Sequence, residues 1–390
     1  MASVPKIHPD VLKLGFVSFL TDLSSEMIFG VFAIAFTTVA GGSARLLGLI
    51  EGVADLAASS LDYLAGWWSD RSGMRKPLAF AGYAFSTSAK LVLPFASSAG
   101  ALGAFRIVER LGKSFRGPPR DAWLTAVAHQ DVRGYSLGVH KALDKAGAVL
   151  GPLIAYGLLS WFGSTAAGFR TLFWVALVPA IASLVVFRFV KERPGERRQR
   201  TPLFAAWQTL APGFKRYLVA AAIFSLGYFS FGFLLLRAHA LGFSVRSVVL
   251  LYALCNGAFV IAAPIVGKWG DRFGRSTVLF ASYLLYASIS LGFAFASARW
   301  HVIVLFALYG VFYSIDEAQS KAYIADVEPE RRATAIGAYN FATGICYLPA
   351  SLIAGALWAA GPRLPFDYAA AIALIAALMF GRLTAARAPP

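Results

Sequence analysis

Long apolar segments recur along the whole chain, and they constrain its fold more than any other feature of the sequence. A helix needs roughly 20 apolar residues to cross the hydrocarbon core of a bilayer, which is about 30 Å thick. Segments of that kind, separated by glycine, proline and charged residues, lie near 11–40, 44–69, 77–98, 100–127, 134–160, 168–190, 214–241, 245–268, 276–297, 300–326, 333–359 and 366–386. We therefore predict an all-α polytopic membrane protein with twelve transmembrane helices.

The charged residues are few and unevenly placed. They make up 14% of the 390 residues, against roughly 25% in soluble domains. The net charge of +16 comes largely from basic clusters in alternate connections, such as residues 71–76, 191–200 and 268–275. Because cytoplasmic loops carry this excess of Lys and Arg, we expect both termini in the cytoplasm. The basic excess then reports topology, and no nucleic-acid partner is expected.

Motifs for catalysis or metal binding are missing from the sequence. Cys255 and Cys346 both lie inside apolar segments, where they suggest neither a disulfide nor a metal site. The sequence has no HExxH pair and no GxSxG elbow. We expect a protein that is not an enzyme and that holds no metal or cofactor.

The two halves of the chain repeat each other. The pattern GxxxDRxGxR at 66–75 follows the second segment, and GxxxDRxGR at 267–275 follows the eighth. In the fifth segment GxxxGP at 147–152 matches GxxxLP at 344–349 in the eleventh. Duplication of this kind is typical of secondary transporters. It predicts two pseudo-symmetric six-helix bundles, at 1–190 and 214–390, joined by a cytoplasmic linker at 191–213.

The duplicated loops, the GxxxGP run and the six-plus-six arrangement resemble the major facilitator superfamily of secondary transporters, over essentially the whole chain. Within it, TDLSSEM at 21–27, RIVERLGKSFRGPPRDA at 106–122 and HKALDKAGAVLGP at 140–152 are similar to a bacterial subgroup of permeases of undefined substrate. The resemblance implies alternating access to a small molecule, in a multi-pass protein of the bacterial cytoplasmic (inner) membrane. We expect it to work as a monomer.

The resemblance also implies that the two signature loops act as a conformational latch. The latch residues that it indicates are Gly66, Asp70, Arg71, Gly73, Arg75, Asp271 and Arg272. The alternative is that their basic residues only anchor the topology of the chain.

Carboxylates interrupt the first two apolar segments. A charge at membrane depth costs on the order of 2.5–3.5 kcal/mol, so each one should face a cavity or a partner. Asp22 lies about 16 Å into the first helix, and Glu26 follows one turn later on the same face. Asp55 belongs to an acidic stripe on the second segment. A carboxyl that exchanges protons is what proton coupling requires, so we predict this role for Asp22, Glu26 and Asp55.

Basic residues of the third to fifth segments supply counter-charges. On the fourth helix Arg106, Glu109, Arg110, Lys113 and Arg120 fall within an arc of about 100°. We predict that substrate binding involves Lys90, Arg106, Glu109, Arg110, Asp144 and Asn256. A purely structural ion-pair role stays open for Glu109 and Asp144. The second half is aromatic instead, and the combination would suit a solute with a charged group and an apolar body.

These features together predict a proton-coupled secondary active transporter of a charged or amphiphilic small molecule. Export by antiport is slightly favoured, because the resemblance extends to the GxxxGP run of exporters, although the closing glycine pair of that pattern is absent here. The alternative is proton-coupled uptake of a charged metabolite or a siderophore-like solute.

Overall fold

A computed structural model of the protein describes residues 8–127, 133–191, 210–328 and 332–385. These residues form thirteen α-helices, and none of them lies in a β-strand. The first half contains α1 (Pro9–Thr38), α2 (Ala44–Ser72), α3 (Lys76–Val92), α4 (Ala99–Val127), α5 (Arg133–Phe162) and α6 (Ala166–Arg188). The second contains α7 (Pro212–Gly227), α8 (Gly232–Ala240), α9 (Val245–Phe273), α10 (Arg275–Phe295), α11 (Arg299–Val327), α12 (Arg332–Ala360) and α13 (Leu364–Ala385). The predicted all-α polytopic membrane fold is confirmed.

Every predicted segment corresponds to helix, but two of them are less apolar than the rest. Within the described residues, ten spans are long and apolar enough to cross a membrane, with α7 and α8 counted as one. The helices α2 and α4 do not meet that measure, because charges such as Glu51 and Glu109 lie along them. Each has 29 residues, which at about 1.5 Å per residue is long enough to span the bilayer.

Proline and glycine set several helix ends. Helix α3 ends at Val92 instead of the predicted residue 98, and a 3₁₀ turn with Pro94 at its centre follows it. Helix α9 runs on to Phe273 and stops at Gly274, which has a φ of 85°. Gly73, in the first signature loop, has a φ of 71°. Both loops therefore need glycine for their bends.

The seventh predicted span is interrupted at residues 228–231, between α7 and α8. Side chains from other helices satisfy the backbone groups that the break frees. The hydroxyl of Tyr286 donates to Gly227 O at 2.9 Å, and that of Tyr368 donates to Leu226 O at 3.0 Å. Unpaired carbonyls at membrane depth would cost several kcal/mol, so these tyrosines make the break possible.

The chain forms two spatial units. The first unit contains Met1–Gly41, Ser60–Arg200 and Val245–Ala253, and the second contains Gly42–Ser59, Thr201–Ser244 and Leu254–Pro390. Helices α2 and α9 thus contribute residues to both units. The division into bundles at 1–190 and 214–390 stays a prediction, and most of the proposed linker lies outside the described residues.

An apolar core joins four helices of the first unit. Val11, Leu14 and Val17 of α1 pack in one cluster with residues of α3, α4 and α6. At its centre the ring of Phe187 lies 5.3 Å from that of Tyr83 and 5.9 Å from that of Trp123. Close packing of this kind holds membrane helices together where water exclusion gives no driving force.

Candidate functional site

Two glycines let α5 approach the backbone of α1. A Cβ atom on Gly151 would lie 2.7 Å from Leu23 O, and one on Gly147 would lie 2.9 Å from Leu23 N. This contact brings Asp144 and His140, earlier on α5, beside the polar stretch of α1. The Nε2 atom of His140 lies 3.1 Å from Ser18 Oγ, at hydrogen-bond distance. These glycines therefore allow close packing of α1 and α5 beneath the charged residues.

A second close contact joins α3 to α4. A Cβ atom on Gly82 would lie 2.6 Å from Arg116 N, and one on Gly112 would lie 2.7 Å from Ser86 N. Because both helices present a glycine where they cross, their backbones touch. The contact sets the depth of Lys90, two turns beyond Gly82, next to the charged residues of α4.

Lys90 lies at the centre of a buried network in the first unit, with only 1% of its surface exposed. Its ammonium donates to Ser24 Oγ at 2.9 Å and to Ser25 Oγ at 2.8 Å. Ser25 Oγ donates in turn to Glu109 Oε1 at 3.1 Å. The other oxygen of Glu109 pairs with Arg106 Nη1 at 3.4 Å. Three of the predicted substrate-binding residues are thus linked, Lys90 to Glu109 through Ser25 and Glu109 to Arg106 directly.

The carboxylate of Asp22 faces two cations of α4. Lys113 Nζ and Arg116 Nη2 each lie 4.0 Å from Asp22 Oδ1. Lys113 Nζ also lies 4.0 Å from Glu26 Oε1. These distances are longer than a hydrogen bond. Asp144 also interacts electrostatically with Asp22. Lys113 is therefore shared between two carboxylates and not committed to either.

Arg116 belongs to this site, although the predicted basic arc of α4 omits it. Its residue is 2% exposed, and its guanidinium lies over the ring of Tyr83 at 4.6 Å. The Nη1 atom has no hydrogen-bond partner among the described residues. On a helical wheel of 100° per residue, Arg116 lies about 20° outside the predicted arc. A slightly wider arc would have included it.

Tyr252 is a second residue that the sequence did not indicate. It lies at the start of α9, in the part that belongs to the first unit. Its hydroxyl donates a hydrogen bond to Glu26 Oε2, and its ring lies 5.6 Å from that of Phe29. No charge or motif marks Tyr252 in the sequence, so only the packing of α9 identifies it.

The other predicted residues are spread over both units. Asp144 is 8% exposed and pairs with Lys141 at 3.5 Å. Arg110 is half-buried on α4. Asp55 and Asn256 belong to the second unit. Asn256 is 8% exposed, and its Nδ2 has no hydrogen-bond partner among the described residues. Asp22 and Glu26 are thus brought together, while Asp55 is placed in the other unit.

The first signature motif spans the end of α2 and the loop after it. Gly66 and Asp70 lie within α2, and the side chain of Asp70 lies outside the described part of the structure. The guanidinium of Arg71 lies 5.1 Å from the centre of the Trp67 ring. Arg75 lies just before α3 and accepts a backbone hydrogen bond from Ala79 N.

The second loop is held by a different set of contacts. Arg275 donates to Ala322 O at 2.9 Å and to Asp326 Oδ1 at 2.8 Å. It also pairs with Asp271 at 3.8 Å. The guanidinium of Arg272 lies 5.2 Å from the centre of the Phe273 ring, within the range of a cation–π contact. The latch role of Asp271 and Arg272 stays a prediction.

Known proteins resemble this chain over most of its length. The family model described as Major Facilitator Superfamily matches residues 14–258 and 217–390. An uncharacterized MFS-type transporter of Methanocaldococcus jannaschii is 33% identical over 381 residues, which cover 96% of this chain and 94% of the relative. The fosmidomycin resistance protein of Escherichia coli is 24% identical over 326 residues, covering 79% and 76%.

A solved structure resembles the fold. The nucleoside transporter NupG superposes with a TM-score of 0.77 at 13% identity, and the match covers 97% of this chain and 99% of that one. At so low an identity the likeness concerns the fold alone.

Proposed function

This chain belongs to the major facilitator superfamily of membrane transporters, which are not enzymes, and we propose that it exchanges a charged or amphiphilic small molecule for protons. The proposed direction is export across the cytoplasmic (inner) membrane, by a monomer with both termini in the cytoplasm. The observation that carries the proposal is the position of Lys113, at 4.0 Å from both Asp22 and Glu26.

Proton binding would change the partners of Lys113. A proton on Asp22 removes one of the two negative charges that Lys113 faces, so that the ammonium is drawn toward Glu26. It also removes the charge that Arg116 faces at 4.0 Å. A proton on Glu26 has the opposite effect on Lys113. Because Lys113 lies equally far from both carboxylates, a proton on one of them would decide which of the two it pairs with.

Tyr252 connects proton binding on α1 to the packing of α1 against α9. Its hydroxyl bonds to Glu26, and a protonated carboxyl can donate a hydrogen bond that a carboxylate can only accept. Because Glu26 lies on α1 and Tyr252 on α9, protonation of Glu26 would alter a contact between two helices. We propose that Asp55 takes part in proton transfer from its place in the second unit.

The proposed substrate-binding residues differ in how available they are. Asn256 keeps a donor without a partner among the described residues, and Arg110 is half-buried. Lys90, Arg106 and Glu109 are engaged with one another and with the serines of α1. We propose that they reach substrate only after proton binding loosens that network, and that Asp144 acts with them.

Export is proposed on two grounds. The Escherichia coli relative is named for resistance to fosmidomycin, and the GxxxGP run of α5 is similar to that of exporters. Proton-coupled uptake is the second candidate, and the same transport assay separates the two. The signature loops are proposed to act as a latch on the cytoplasmic side.

Membrane vesicles of defined orientation would test the proposal, with fosmidomycin and ethidium as test solutes. Inside-out vesicles with an acidic lumen should accumulate a transported solute if the protein exports by antiport. The Asp22→Asn variant should lose this accumulation. Asp121→Asn is the matched control, because the side chain of Asp121 is 64% exposed beside Arg120, and it should keep wild-type transport.

Two results would contradict parts of the proposal. Accumulation by right-side-out vesicles with an acidic exterior, and not by inverted ones, would establish uptake in place of export. Undiminished pH-driven transport by Asp22→Asn would exclude Asp22 as the coupling carboxyl.

A further inference from the structure

A carboxylate in the second unit lies among groups that leave it largely uncompensated. Asp316 of α11 is half-buried and accepts a hydrogen bond from Ser320 Oγ at 3.4 Å. The charged groups that act on it are the carboxylate of Glu317 and the ammonium of Lys321. Lys321 itself is exposed. The charge of Asp316 is therefore balanced only in part by its surroundings.

The turn of α11 before Asp316 lies beside tyrosine rings, since the ring of Phe312 is 5.9 Å from that of Tyr228 and 4.8 Å from that of Tyr286. Tyrosines of α7, α10 and α12 and of the break after α7 interact electrostatically with Asp316. They are Tyr217, Tyr228, Tyr283, Tyr286, Tyr339 and Tyr347. Several of these rings contact one another. Tyr228 lies 5.8 Å from Tyr347 and 5.5 Å from Tyr286, and Tyr217 stacks on Tyr339 at 6.0 Å. Of these, Tyr228, Tyr339 and Tyr347 are half-buried like Asp316.

The break between α7 and α8 helps to build this group. Tyr228 is the first residue after α7, and its φ of −97° and ψ of 80° are not helical. The non-helical backbone of the break, and not the geometry of α7, therefore sets the direction of its side chain. Broken spanning helices occur where the backbone lines a cavity or a binding site. The break thus supports a ligand-binding role independently of the charge on Asp316.

A second carboxylate acts on one of these rings. Asp55 of α2 interacts electrostatically with Tyr347 and belongs to the same unit. The two helices are close there, since a Cβ atom on Gly52 would lie 3.0 Å from the Cα atom of Leu348. An anionic ligand beside Tyr347 would face repulsion from Asp55 and from Asp316.

We infer that Asp316 and the rings of Tyr228, Tyr339 and Tyr347 bind an organic cation. The class of ligand is an amine, quaternary ammonium or phosphonium ion that carries apolar groups. Aromatic faces attract such cations and also pack against their apolar groups, while Asp316 supplies the opposite charge. This inference rests on the proposed transport function and names the class of substrate.

Equilibrium binding of tritiated tetraphenylphosphonium to the purified full-length protein in detergent would test the inference. Wild-type protein should bind it saturably, and Asp316→Asn should weaken the affinity about tenfold. Tyr347→Leu removes a ring and should weaken the affinity about fivefold. Tyr347→Phe keeps the ring and should stay within about twofold of wild type. Triphenylphosphine oxide, a neutral molecule of similar shape, should not displace the cation.

The inference is overturned if wild-type protein shows no saturable binding, if Asp316→Asn binds as tightly as wild type, or if triphenylphosphine oxide competes. If Asp316→Asn does not fold, equal affinities of Tyr347→Leu and Tyr347→Phe overturn it. Binding in detergent needs no proton gradient. Intact binding without pH-driven transport would refute the proposed function alone, and pH-driven transport of another solute without tetraphenylphosphonium binding would refute this inference alone.

Discussion

The two units of the molecule fill their interiors with different chemistry. Charged side chains less than a tenth exposed in the first unit include Asp22, Lys90, Arg106, Glu109, Arg116 and Asp144. Among the described residues of the second unit, Glu51 and Glu328 are buried to that degree. Aromatic stacks occupy much of its interior, such as Phe224 on Tyr283 with ring centres 4.1 Å apart. The two units thus differ in how they fill their interiors.

The difference has a consequence for stability. Removing one member of a buried ionic network leaves its partner uncompensated, which costs more than the pair itself contributes. Trimming an aromatic cluster loses contacts in proportion to the volume removed. Single substitutions in the first unit should therefore cause large losses of stability, which a second substitution in the same ion pair partly restores. Substitutions in the second unit should cause losses that grow with the volume removed.

The largest effect is expected from giving the first unit a residue of the second. Gly151 matches Leu348 in the repeat, and a Cβ at Gly151 would lie 2.7 Å from Leu23 O and 3.0 Å from Met27 N. Gly151→Leu should force α5 off α1 and lower the yield of monodisperse protein about tenfold or more. Gel filtration of the solubilised protein measures this yield.

The matched control is the same substitution six residues later on α5. A Cβ atom at Gly157 would meet nothing within 4 Å, so Gly157→Leu should keep a near wild-type yield. Equal yields for the two variants would show that folding of the first unit does not depend on the close contact of α1 and α5.

The buried network offers the next largest effect. Lys90→Met leaves Ser24 and Ser25 without their donor and leaves Glu109 with Arg106 as its cation. It should lower the free energy of unfolding by about 3 kcal/mol, measured by denaturant unfolding in micelles. The double variant with Glu109→Gln should recover part of that loss, because it removes one negative charge along with the positive one and so restores the net charge of the network.

A single charge removed from the second unit serves as the comparison. Asp316 is half-buried and bonded to a hydroxyl, so Asp316→Asn should cost about 1 kcal/mol or less. A loss as large as that of Lys90→Met would mean that the two units tolerate charge removal alike.

The sequence was sufficient for the features that one helix determines by itself. Asp22, Glu26 and Lys90 could be placed at depth because helix length and the cost of a buried charge act along a single segment. The cations that face Asp22 depend on which helix lies opposite, and the sequence does not determine that. Asp316 stands out in the sequence as a carboxylate in an apolar segment, but its tyrosine neighbours come from α7, α10, α12 and the break after α7, which one segment does not determine. The break after Gly227 likewise depends on hydroxyls from α10 and α13.

That break offers a smaller effect, of the gradual kind expected in the second unit. Tyr286→Phe keeps the ring in its cluster and removes the hydroxyl that donates to Gly227 O. It should lower the free energy of unfolding by about 1 kcal/mol. Tyr368→Phe removes the bond to Leu226 O and should add a similar loss in the double variant.

Tyr156→Phe is the control, because Tyr156 is 37% exposed on α5 and its loss should stay within about 0.5 kcal/mol. No measurable loss in the double variant would mean that other groups satisfy the carbonyls at the break.

The smallest effect on stability is expected where the second unit carries exposed charges, in its signature loop. Arg275 and Asp326 have side chains that are 31% and 56% exposed, and water screens such a pair. Asp326→Asn should therefore cost less than about 1 kcal/mol. Arg275 keeps its bond to Ala322 O and its weaker pair with Asp271 in that variant. A latch would affect the transport rate and not the free energy of unfolding, since it stabilises one conformation of the folded transporter against another. If Asp271→Asn leaves unfolding unchanged but alters the transport rate, the loop acts on conformation. If it alters neither, the basic residues of this loop only anchor the topology of the chain.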